Sequence, residues 1–187
     1  MKRFILFFSV VCACALLAGP AQQILIAISP NNGGATGTYY YTTPEASINS
    51  VDSNLSATLM LWYDITLGAG NATKIGIYIS TINVPGSTVR LGLWNAGGTE
   101  LIDVVTASIT ATGWNDITVT PVATTATAYK IGYIGQGNDD VDVGFNTLAG
   151  TNAGNYNASQ SGGNFPASLP SSQGTFDGKS AMRVFVQ

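Results

Sequence analysis

Thr58-Leu59-Met60-Leu61-Trp62-Tyr63-Asp64-Ile65-Thr66-Leu67 is the stretch that decides the fold. Leu59, Leu61, Tyr63, Ile65 and Leu67 fall on one side of a two-residue period. Thr58, Met60, Trp62, Asp64 and Thr66 fall on the other. That period belongs to a β-strand, whose successive side chains point to opposite faces. The run reads as a strand with an aliphatic inner row.

The alternation recurs outward from there. Thr73, Ile75, Ile77 and Ile79 form a second inward row, and Val89, Leu91 and Leu93 a third, with Pro85-Gly86 in the turn between them. Ala96-Gly97-Gly98-Thr99 reads as a tight hairpin into 101–109. Further strands are expected at 113–119, 129–134, 141–145 and 181–186, and others at 24–29 and 39–42. No stretch combines a helical period with caps. About nine or ten short strands at this spacing predict an all-β chain, an antiparallel, jelly-roll-like β-sandwich. Residues 31–37 and 146–179 break the pattern. Tyr156, Phe165, Leu169 and Phe176 make the second of these an ordered loop packed over the sandwich before the last strand.

Lys2 and Arg3 precede an apolar stretch at 4–17, followed by Ala18-Gly19-Pro20-Ala21, the form of a signal peptide. The division expected is a signal peptide at 1–21, an N-terminal segment with one or two edge strands at 22–54, and a β-sandwich domain at 55–187. The apolar stretch is shorter than the ~20 residues a membrane span needs. A secreted or surface-associated protein with no membrane span in its mature chain follows. The alternative is an anchor, in which an uncut leader runs on into Ile24-Leu25-Ile26-Ala27-Ile28, although Pro20 and Gln22-Gln23 interrupt it.

Cys12 and Cys14 both lie in the leader, and the chain has no histidine. The mature part therefore lacks imidazole bases, thiol nucleophiles and the usual zinc ligands. Removing Lys2 and Arg3 from the 7 basic residues leaves five against 10 acidic ones. A sparse, acidic balance argues against nucleic acid, which demands clustered Lys and Arg.

Several fragments carry a resemblance: Thr73-Lys74-Ile75-Gly76-Ile77-Tyr78, Val89-Arg90-Leu91-Gly92-Leu93-Trp94, Gly113-Trp114-Asn115-Asp116-Ile117 and Tyr129-Lys130-Ile131-Gly132-Tyr133, with Phe165-Pro166 late in the chain. In this order, from about residue 55 onward, the chain resembles bacterial secreted, jelly-roll, carbohydrate-binding-like β-sandwich modules of mostly unknown function. The resemblance implies the fold and an extracellular role. It carries no catalytic residues.

Opposite the apolar rows, glycine recurs at the centre of strands: Lys74-Gly76-Tyr78, Arg90-Gly92-Trp94 and Lys130-Gly132, with Gly144 in a fourth. Glycine inside a strand is unfavourable unless something needs the space or a bend. One reading is a ligand groove floored by backbone, with Tyr78 and Trp94 as stacking platforms and Lys74, Arg90 and Lys130 as polar clamps for a sugar. The other is sheet curvature, or cover by the N-terminal segment or the long loop. Asp139, Asp140 and Asp142 offer hard oxygen ligands for calcium, against the plainer reading of a solvated acidic turn. Otherwise no cofactor is expected. Asp64, Glu100, Asp103 and Asp116 are the acids available to a glycosidase, and nothing in the sequence pairs two of them. The functional expectation is a secreted non-catalytic binding module for a glycan or cell-surface polymer. The alternative is a structural or adhesive subunit that self-associates through edge strands.

Overall fold

The computed structural model describes residues 36–187 except 54, 106–107, 138–140 and 161–162. The leader, the strand expected at 24–29, Asp139 and Asp140 lie outside the described residues. Thirteen strands are described: β1 Thr38–Tyr41, β2 Ser50–Asp52, β3 Met60–Leu67, β4 Gly70–Ile82, β5 Val89–Asn95, β6 Glu100–Val105, β7 Gly113–Thr124, β8 Thr127–Gly135, β9 Val141–Asn146, β10 Gly154–Asn157, β11 Gly174–Phe176, β12 Lys179–Ser180 and β13 Met182–Val186. A single 3-10 turn, Glu45–Ser47, is the one helical element described.

The strands make two antiparallel sheets. Sheet A runs β1-β13-β4-β9-β12, with β2 added to β9 and β7 to β4; sheet B runs β11-β10-β3-β8-β5-β6. The inward rows read from the sequence meet between the sheets, where Ile75, Ile77, Ile79, Leu91, Leu93 and Ile131 are fully buried. Each such side chain contributes roughly 1.5–3 kcal/mol of burial. Thr73 is an exception to its expected inward row. Both neighbours of β4 skip it: β7 and β13 shift register between Ala72 and Lys74. This bulge turns Ala72 into the core in its place.

The strand count exceeds expectation for a physical reason. The stretch 146–179 is not wholly loop: β10 pairs with β3 and β11 with β10, extending sheet B. These are strands of four and three residues, Gly-Asn-Tyr-Asn and Gly-Thr-Phe, too short to give an alternating signal. The turn at Gly86 (φ 85°) carries the chain from sheet A to sheet B, and Gly98 (φ 81°) closes the β5–β6 hairpin; both need the left-handed region glycine tolerates. The strand latest in sequence lies inside sheet A. Tyr78 N–H donates to Ala181 O (2.9 Å) and Ala181 N–H to Gly144 O (2.7 Å), so β4, β9 and the β12–β13 segment meet there. No helix among the described residues is long and apolar enough to cross a membrane.

Candidate functional site

The residues singled out from sequence divide between the two sheets. Arg90, Gly92, Trp94, Lys130 and Gly132 lie on sheet B, where Gly92 and Gly132 are register partners, side by side. Lys74, Gly76 and Tyr78 lie on β4 of sheet A. They share no single surface.

On sheet B the space above the glycines holds indole rings. A methyl on Gly92 would fall on the Trp94 ring, and one on Gly132 would lie 2.9 Å from Trp62 Cβ and 2.5 Å from Leu61 O. Met60, Trp62, Trp94 and Ile134 form a second apolar cluster on this outer face, covered by Phe165 and Leu169. Phe165 meets Trp94 edge-on at 4.9 Å. The cover is tied down by Leu169 N–H to Gly98 O (2.8 Å) and Gly163 N–H to Ala57 O (2.8 Å). Trp94 is fully buried, and its Nε1 has no hydrogen-bond partner among the described residues. Arg90 pairs with Asp103 at 2.8 Å and Lys130 with Asp64 at 2.6 Å.

On sheet A the corresponding space holds an ion pair. Arg183 on β13 donates from Nε (2.8 Å) and Nη2 (2.6 Å) to the two oxygens of Asp116 on β7. This pair lies across Gly76, where a methyl would collide with Asp116 Oδ1. The guanidinium is stacked 4.2 Å from the Tyr39 ring and 4.2 Å from the Trp114 ring. Tyr39 donates to Asp116 (2.8 Å), and burial first, then that carboxylate, push its phenol up to about 12. Burial opposes the Arg183 charge, but Asp116 outweighs it and holds the guanidinium above its ordinary range. Tyr78 meets Trp114 edge-on at 5.5 Å, and Lys74 lies 5.4 Å over Phe185. Of the run Tyr39-Tyr40-Tyr41, the first and third join this outer face and Tyr40 packs on the core.

The open flanks of the sandwich differ from these faces. Between β6 and β7 runs a cleft of about 310 Å³ lined by Leu101, Val104, Thr118, Val119, Thr120 and Val122. Between β2–β9 and β3–β10 runs a larger one of about 490 Å³, walled by Leu59, Leu61, Phe145, Tyr156 and Phe176. Ser50, Asp52 and Thr147 supply its polar groups, and Asp52 is the one acidic or basic residue in the lining among the described residues. Phe145 and Phe176 are stacked at 6.2 Å, and Tyr63 meets Phe176 edge-on from the core at 5.8 Å. Sequence reading missed this site because two of its three polar groups come from β2, three residues with no alternation to find. Tyr156 and Phe176, aromatics within an Asn/Gly-rich stretch, were its one visible signal.

Asp142 accepts from Asn83 Nδ2 at 3.2 Å on the exposed end of β9. Among the described residues no group of three or more His, Cys, Asp or Glu side chains converges as a metal site. Comparison with family models, curated proteins and solved structures gives no match. The likeness to secreted β-sandwich modules thus stands on the quoted fragments alone.

Proposed function

We propose that this is a secreted, non-catalytic binding module for a glycan or cell-surface polymer, with the aromatic flank cleft as its binding site. One observation carries the reading: a preformed groove of about 490 Å³ with Phe145, Tyr156 and Phe176 as walls and Asp52, Ser50 and Thr147 at its polar side. Sugars suit such a groove, because their C–H faces pack on aromatic rings while hydroxyls take the polar groups. Its volume falls within the roughly 300–1,000 Å³ of small-ligand sites. The competing reading is a self-associating structural subunit. It draws on β7, Gly113–Thr124, which pairs only with β4 among the described residues and leaves its other side open to a neighbour.

A glycan-array screen of the purified protein, with and without calcium, tests the first reading; sedimentation tests the second. A monomer that retains a defined glycan, and loses it on Tyr156→Ala, is the expected result. A filament or oligomer that is silent on the array would replace the first reading with the second.

A further inference from the structure

The two flanks of the sandwich are finished differently. Beyond β1 the gap between the sheets is plugged: Tyr40 packs on the core, and its hydroxyl sits where a side chain on Gly68 would be. On the opposite flank, among the described residues, β6 pairs only with β5 and β7 only with β4, so both sheets end in open edges. The cleft of about 310 Å³ between them is lined by Leu101, Val104, Val119 and Val122, which pack on the core and stay partly buried. Among the described residues its one charged lining residue is Asp103, which is already paired with Arg90. An open strand edge beside a neutral aliphatic cleft is a template for one more strand.

We propose that the added strand is this chain's own Ile24-Leu25-Ile26-Ala27-Ile28, docked along the free edge of β7 over the cleft. The segment is uncharged and wholly aliphatic, with Ile24, Ile26 and Ile28 on one side of a two-residue period to fill the cleft. The connection is long enough. Thr38, Val186, Ala72 and Val122 are successive register partners, so the start of β1 and the far half of β7 share one row of sheet A. From β1 to a strand beyond β7 is four strand spacings, roughly 19 Å. The ten residues from Ile28 to Thr38 can reach about 33 Å. The segment then runs parallel to β7, its end towards Val122. Tethering favours the chain's own segment over another copy's, because a short link holds it near the edge at an effective concentration on the order of millimolar. Docked there, it denies β7 to a neighbour and leaves the aromatic cleft on the other flank open, whatever ligand that cleft takes.

Disulfide trapping tests the placement. Cys12 and Cys14 both lie in the leader, so the cut chain has no thiol of its own to interfere. Ile26→Cys is combined with Thr120→Cys on β7 and, separately, with Tyr41→Cys on β1. Mass spectrometry of the oxidised, secreted protein then locates the bond. An intramolecular bond in the first variant and none in the second is expected. A bond to β1, a bond between two copies, or no bond in either variant would overturn the inference. So would an intact mass showing that the leader is cut beyond Ile28. Ile26→Asp puts a charge into the cleft without altering β7, and should lower the melting temperature by about 5 °C. An unchanged melting temperature also overturns the docking.

Discussion

The two outer faces solve the same local problem in opposite ways. On each sheet a mid-strand glycine vacates space above the backbone, flanked by a basic residue and an aromatic one. Sheet B fills that space with Trp62 and Trp94 and covers them with Phe165 and Leu169. Sheet A fills it with the Arg183–Asp116 pair stacked between Tyr39 and Trp114, and leaves it partly open, with the two side chains 14% and 19% exposed. A glycine in a strand therefore reports that something lies flat there. Which chemistry lies there depends on residues far along the chain.

The contrast can be broken most severely at Trp94. Trp94→Ala should cost about 4 kcal/mol, the usual range for a buried tryptophan. Tyr78→Ala, on the partly buried face, should cost about 1–2 kcal/mol. Chemical denaturation of both variants measures the difference; equal losses would erase the distinction between a covered and an open face. The glycines sharpen it at smaller scale. Gly132→Ala drives a methyl towards the backbone oxygen of Leu61 and should cost about 3 kcal/mol, since backbone cannot step aside. Gly76→Ala meets the movable end of Asp116 and should cost nearer 1 kcal/mol, with the Arg183 pair rearranged.

The smallest effect concerns Glu100 at the margin of sheet B's cover. Burial, then the charge of Asp103, raise its carboxyl above the ordinary value of 4.5, and its Oε2 has no hydrogen-bond partner among the described residues. A carboxyl whose folded pKa is raised adds stability below its unfolded pKa and loses it as pH climbs through the folded one. Glu100→Gln should thus raise the melting temperature by about 1–2 °C at pH 7, a gain that vanishes near pH 4. A gain independent of pH would assign the effect to something other than ionisation.

The sandwich was legible because aliphatic rows such as Ile75-Ile77-Ile79 repeat every second residue, and burial of one face enforces that period. The bulge at Thr73 was not, since a register shift depends on both partner strands. Nor were β10 and β11, short segments held in sheet B by β3 and by each other rather than by their own propensity. At the site the limit is similar. Arg90 and Lys130 were visible as charges, but their acids, Asp103 and Asp64, come from strands that only the fold makes neighbours. The flank cleft draws on β2, β3, β9, β10 and β11 at once, so no local window contains it.

The late insertion of β13 between β1 and β4 governs when this protein can fold. Thr38 is registered against Val186, and Tyr41 against Arg183. Among the described residues β1 has no other strand partner, so its pairing waits on residues 183–186, and pairings so distant close slowly. Sheet A is therefore completed only after β13 has emerged, whatever sheet B has already buried.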